Sequence, residues 1–253
     1  MEQDIYKLGQ DNFNLPHDVV QLPSQGVFYK NKKKSVKVGY LTAQDENFLL
    51  SSSNQTGSNN IVLNLIRNKV YEHDIKPDDM VEGDIEAILI FLRNTSFGSE
   101  YTISLTDPKT NKQFETTIVL DELNIKKIPN PPDENGLILA KLPKTGATVK
   151  LRPLTYGEIL EIDKMVESYP VGRVAPRITW RLEKQIQEIN GNTDRLAISQ
   201  FVNTLPIMDS KFIRNFIKEN QPTLDLTRQV KAPSGEIVTF EVTFGAEFFR
   251  PFF

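Results

Sequence analysis

Leu142-Pro143-Lys144-Thr145-Gly146, followed by Val149-Lys-Leu-Arg-Pro-Leu-Thr155, decides how the chain is read, because the same pattern has occurred before. Leu22-Pro23-Ser24-Gln25-Gly26 carries the same LPxxG, and Val36-Lys-Val-Gly-Tyr-Leu-Thr42 the same alternating run closing on Thr. In each LPxxG, Pro stiffens a turn and Gly admits a positive φ beside a strand. Thr42 precedes Asp45 and Glu46, and Thr155 precedes Glu158, a spacing that opens a helix by satisfying its free amides. LPKTG also spells a sortase sorting signal, but a genuine one stands before an apolar span and a basic tail. Here a long globular pattern follows Gly146, and turn chemistry explains the motif better.

Working outward, the two copies continue in the same order. After Leu22, Val27-Phe28-Tyr29 and Val36 to Tyr40 flank a Lys-rich turn and predict a β-hairpin. A short helix follows through Phe48, Leu49 and Leu50, then a polar loop from Ser51 to Asn60. Ile61 to His73 predicts a helix, and Asp84 caps a second carrying Ile85, Ile88, Leu89 and Leu92 at helical spacing. Tyr101 to Leu105 and Phe114 to Leu120 predict a hairpin about Asp107-Pro108-Lys109-Thr110-Asn111. In the second copy, helical segments fall at 156–168, 177–189 and 194–204. Asp209 caps a further helix with Phe212, Ile213, Phe216 and Ile217, and a closing hairpin runs from Val230 to Phe244 about Ala232-Pro-Ser-Gly235. The expected fold is α+β, an internally duplicated strand–helices–β-hairpin unit in two pseudo-repeated halves. The expected boundaries are an irregular arm over 1–21, a first repeat over 22–125, a Pro-rich linker over 126–141 and a second repeat over 142–253. Ile128-Pro-Asn-Pro-Pro-Asp133 marks the linker, since its prolines fit neither a helix nor a central strand.

Composition removes whole classes of function. The chain has 253 residues, 39% hydrophobic and 25% charged, enough to bury a core. Thirty Lys+Arg against thirty-three Asp+Glu leave a net charge of −3, which gives no electrostatic reason for nonspecific binding to DNA or an anionic membrane. There is no cysteine, hence no disulfide, thiolate metal site or Cys nucleophile. His17 and His73 are the only histidines, and no GxSxG, Walker loop, GxGxxG or HExxH accompanies them. No run approaches the ~18 apolar residues of a spanning helix. The polar, acidic start, MEQDIYKLGQ, is not a secretory signal. No cofactor, small-molecule substrate or enzymatic activity is expected. A site of carboxylates and Arg assembled from distant segments is the remaining route to hydrolysis, and it would show as a cleft with convergent, perturbed carboxylates.

Three features invite a functional reading. Lys30, Lys32, Lys33 and Lys34 could contact phosphate, which makes a nucleic-acid-binding module using the Lys30 to Lys34 tip the alternative function; more often such a run is a solvated turn. Asp78, Asp79, Glu82, Asp84 and Glu86 could meet a cation, but they lack EF-hand spacing and suit a helix N-terminus. Phe244, Phe248, Phe249, Phe252 and Phe253 crowd the last ten residues, where chain ends are usually polar. They either pack back onto the fold or dock into a partner, with Arg250-Pro251 favouring an extended segment between the pairs. Phe248, Phe249, Phe252 and Phe253 are the candidate partner contacts, and the 1–21 arm is a second candidate.

The series LPSQGVFY, VKVGYLT with its acidic residues, a helix pair ending in FLRNTSFGSEY, and MDSKFIRNFIKEN leading to a hairpin and GAEFFRPFF resembles the T4-type phage baseplate proteins. These are the hub subunit and hub assembly proteins of contractile-tailed phages, and the resemblance covers about residues 20–253. It implies a non-enzymatic structural or assembly role in the tail baseplate, through contacts with other tail and baseplate proteins. The location it implies is the virion tail, or the host cytoplasm during assembly. Family hairpins often carry CxxC pairs; here the turns read Asp107-Pro-Lys-Thr110 and Ala232-Pro-Ser-Gly235, so no metal is implied.

Overall fold

The structure is a computed structural model that describes residues 16–51, 58–243 and 246–249. Among these lie seven α-helices and nine strands, the strands in four small antiparallel sheets, so the fold is mixed α+β.

β1 (His17–Gln21) pairs with β2 (Ser35–Gly39), His17 opposite Gly39 and Gln21 opposite Ser35. The last five residues of the expected irregular arm are therefore a strand, and β2 does not pair with Val27-Phe28-Tyr29. The intervening turns explain the difference. Gln25 and Gly26 take positive φ (50° and 74°), and the amides of Gln25, Val27, Tyr29 and Lys32 each bond to the carbonyl three residues back. A Cβ on Gly26 would lie 2.5 Å from the Lys32 carbonyl, so this winding requires glycine there. The Lys-rich run rides on a knot of turns rather than at a hairpin tip.

α1 (Ala43–Ser51) opens where expected, with the Thr42 hydroxyl and amide both donating to Asp45 Oδ2 at 2.7 Å. α2 (Ser58–Lys69) stops short of His73 because Val70 bridges to Val38 in β2. α3 (Glu82–Phe97) is followed by the hairpin of β3 (Glu100–Thr106) and β4 (Gln113–Val119). Arg93, 1% exposed, ties the two together, donating to the carbonyls of Gly98 (2.5 Å) and Glu100 (3.0 Å).

β5 (Ile138–Lys141) and β6 (Thr148–Leu151) flank the second LPxxG, which here is itself the hairpin turn. α4 (Tyr156–Glu167) begins with a complete capping box between Thr155 and Glu158. α5 (Arg177–Gln185) ends four residues early, since β7 (Ile186–Ile189) turns into the sheet beside β6 and buries Ile186. Helical period alone could not register that β6 had an open edge. α6 (Arg195–Thr204), α7 (Ile207–Asn220) and the hairpin of β8 (Thr227–Lys231) and β9 (Ile237–Glu241) complete the chain.

Packing does not follow chain order. One core joins Val36, Val38, Leu65, Ile66, Met80, Ile85, Ile88 and Leu92, and is closed by Leu224, Leu226, Val242, Phe248 and Phe249. A second joins Leu142, Val149, Leu151, Leu182, Ile186, Ile198, Ile213 and Ile217. The last hairpin thus returns to the first core. Residues 126–137 carry no helix or strand, yet they are fastened: Asn130 N donates to the buried Asn220 Oδ1 (2.8 Å), and Lys126 N to the Thr223 carbonyl (2.9 Å).

Asp84 and Asp209 do not cap their own helices. Each lies in the first helical turn, after N-caps Val81 and Pro206, and its carboxylate reaches out to an LPxxG turn. Asp84 accepts from Ser24 N (2.8 Å), Ser24 Oγ (2.5 Å) and Tyr29 Oη (2.5 Å), entirely out of solvent. Asp209 accepts from the amides of Lys144 (2.7 Å) and Thr145 (2.9 Å). The surroundings differ, because Ser24 and Tyr29 are buried whereas Lys144 and Thr145 are exposed. Asp84→Ala therefore strands three donors away from water and should cost about 3–5 kcal/mol of stability. Asp209→Ala leaves two amides that water can reach and should cost about 1 kcal/mol. Chemical denaturation of both variants checks the contrast; equal losses would contradict it.

Gly83 supplies a second close contact. A Cβ there would lie 2.0 Å from the Pro222 carbonyl oxygen, which is backbone and cannot swing aside. Gly83→Ala should cost about 2–3 kcal/mol by overpacking, read from the same denaturation experiment.

Candidate functional site

The C-terminal aromatics divide. Phe248 and Phe249 sit in a 3-10 turn (Ala246–Phe249) and are 0% and 2% exposed. Phe248 meets Tyr101 edge-on at 5.3 Å between ring centres and Phe249 at the same distance. Both rings are buried in the first core. Phe244, Phe252 and Phe253 lie outside the described residues, as do residues 1–15 of the arm.

The lysine run is partly consumed by the fold. Lys33 Nζ pairs with Glu72 (2.6 Å) and Asp74 (3.1 Å), and Lys32 Nζ donates to the Glu134 carbonyl (2.8 Å). Lys30 and Lys34 remain exposed. The acidic run is likewise dispersed. Asp78 pairs with Arg67, Asp84 turns inward to Ser24, and Glu82 and Glu86 face a cavity on another side of α3. Among the described residues no group of three or more His, Asp or Glu is arranged to hold a metal ion, and no helix is long and apolar enough to cross a membrane. His17 and His73 are both exposed, and the His17 ring meets Tyr71 edge-on.

That cavity, about 360 Å³, is bounded by α3, α4, α5 and the end of β9. Its floor is apolar, with Ile85, Leu89, Ile159, Leu160, Leu226 and Val242, and its walls carry Glu82, Glu86, Asp163 and Glu241. Burial raises Glu86 to about 7, reinforced by Glu82 and Glu241; burial also raises Glu82, opposed by Arg181. This is the convergence of carboxylates that would mark a carboxylate-based hydrolase. The groups are nevertheless engaged with one another: Thr223 Oγ1 donates to Glu86 Oε2 (3.0 Å), Arg177 pairs with Asp163 (2.6 Å), and Arg181 offsets Glu82. Sequence reasoning missed the cavity because Glu241 lies far along the chain from Glu82 and Glu86.

It also missed an exposed apolar tip. Between α4 and α5, Val171 and Val174 are 104% and 93% exposed, and Ile178 at the start of α5 is half exposed. The base of this loop is firm. Tyr169 meets Trp180 edge-on at 5.8 Å, Pro170 and Pro176 flank the tip, and Arg173 N donates to the Pro170 carbonyl (3.1 Å). The signal available in sequence was two valines inside a Pro- and Gly-bounded segment, where polar residues are usual. β-Branched side chains held wholly in water on a supported turn are suited to covering by another protein surface.

The exposed Val171–Val174 tip is thus a candidate surface for contact. A family model described as T4 bacteriophage base plate protein matches residues 22–250. Comparison with curated proteins and with solved structures gives no match. The matched span runs from the first LPxxG turn past Phe249 and takes in both cores, so the chain belongs to the T4 bacteriophage base plate protein family.

Proposed function

We propose that this chain is a hub subunit or hub assembly protein of a contractile-tailed phage baseplate, acting without catalysis through contacts with other tail and baseplate proteins. The family match over residues 22–250 carries the reading. The exposed Val171, Val174 and Ile178 support it, since they offer apolar area to a neighbouring subunit. Phe252 and Phe253 are the tail's partner contacts in this reading, with Phe248 and Phe249 anchoring the segment from which they extend.

The reading also takes the molecule as two pseudo-repeated halves. The Asp84 grip on Ser24 and the Asp209 grip on Lys144 and Thr145 support it, as do the Thr42/Asp45 and Thr155/Glu158 helix starts. The turns of the two hairpins also meet, Ser234 N and Oγ donating to Asp107 at 3.1 and 2.7 Å.

Replacing both valines, Val171→Asp with Val174→Asp, should leave the thermal midpoint within about 2 °C of wild type, because neither side chain is packed. Truncation after Phe249 should likewise preserve the fold. Both variants should fail to restore tail assembly in a complementation assay, and normal tail assembly with both would contradict the contact surfaces. Mass spectrometry of purified virions separates the two roles. Abundant chain identifies a structural subunit; its absence identifies an assembly factor.

A further inference from the structure

The cavity beside α3 lies where three separately built parts of the molecule touch. Every element around it contributes a charged or titratable group: Glu82 and Glu86 from α3, Tyr156 and Asp163 from α4, Arg177 and Arg181 from α5, and Glu241 from β9. The balance is uneven. Arg177 is taken by Asp163, and Arg181 is the cation that offsets Glu82. Among the described residues no ion pair joins Glu86 or Glu241, and the bond from Thr223 Oγ1 to Glu86 Oε2 is neutral to charged. Glu86 meanwhile sits over Ile85, Leu89, Leu226 and Val242, where an ionised carboxylate is poorly solvated.

We propose that this junction is a pH-sensitive latch, in which a proton on Glu86 lets α3, the Thr223 turn and the end of β9 close together, and its loss makes Glu82, Glu86 and Glu241 repel one another. The end of β9 leads into Val242, whose amide donates to the Leu226 carbonyl (3.0 Å), and on to Phe248 and Phe249 in the first core. Loosening the latch therefore loosens the seat of the C-terminal hairpin.

The sign of the effect follows from the environment. Burial, then Glu82 and Glu241, hold the folded Glu86 carboxyl at about 7, above its ordinary 4.5. The folded protein keeps a proton that the unfolded chain releases, so this group's contribution to stability is full below its ordinary 4.5 and is lost as pH rises through about 7. Tyr156 is pushed up to about 12 and stays neutral across this window.

Thermal unfolding of the full chain between pH 6 and pH 8 tests the latch. The wild-type midpoint should fall by about 3–5 °C from this group across that interval. Glu86→Gln preserves size and an acceptor for Thr223 while removing the charge. Its midpoint should fall less steeply and lie above wild type at pH 8. Asp84 is also raised by burial, so the difference in slope between the two proteins, not the wild-type slope alone, is the readout. Parallel slopes would overturn the proposal. Should Glu86→Gln fail to fold, Glu241→Gln takes its place and should raise the midpoint at pH 8. Hydrogen exchange of the wild-type Val242 amide, corrected for intrinsic rate, should also show protection falling from pH 6 to pH 8; constant protection would overturn the proposal.

Discussion

The first turn of α3 is the constraint on which the other parts depend. Asp84 places a carboxylate wholly inside the protein, and taking such a charge out of water costs several kcal/mol unless donors surround it. Three donors do so, two from Ser24 and one from Tyr29, and the Tyr29 oxygen in turn accepts from Val81 N at 3.0 Å. These bonds form only if residues 22–29 are wound as they are, so the aspartate dictates the shape of a loop remote from it in sequence. The same short segment reaches the other half of the chain. Met80 accepts from Tyr156 N (2.7 Å), Val81 bridges Thr155, and Gly83 lies against Pro222. Five consecutive residues thus join the turns of the first core, the start of α4 and the approach to the last hairpin.

The same chemistry recurs under weaker demand. Asp209 holds the second LPxxG turn with two bonds to exposed amides, and those amides, with the Lys144 charge, outweigh burial to keep its carboxyl low. Asp107 does likewise between the two hairpin turns. Burial acts to raise its carboxyl, but bonds from Ser234 and from the amides of Lys109 and Thr110 outweigh that and hold it at about 2. A frame closed by such bonds suits a baseplate protein, because contact residues keep their function only while the scaffold beneath them stays in place. The Val171–Val174 tip, braced by Tyr169 on Trp180, illustrates this.

What could be read from sequence was local. The helix starts at Thr42 and Thr155, the hairpin about Asp107 and the helix containing Ile85, Ile88 and Leu92 stand within a few residues of expectation, because their signals lie within one or two turns of chain. Most of the misses were decided at a distance. HDVVQ at 17–21 looks unremarkable until β2 pairs with it, and IQEI at 186–189 continues a helical period until β6 draws it into a sheet. Asp84 and Ser24 are 60 residues apart, Glu86 and Thr223 137. No spacing rule links such pairs. The aromatic C-terminus was conspicuous, but composition alone could not tell which rings would complete the first core.

The central claim is that residues 80–84, by tying the first core to the start of α4 and to the Pro222 turn that follows α7, make both cores open as one unit. Native-state hydrogen exchange measures this directly, by comparing amides of α3 in the first core with those of β6 and α7 in the second. One shared opening free energy, with one shared denaturant dependence, is the predicted result. A second core that opens at lower free energy while α3 stays protected would contradict it.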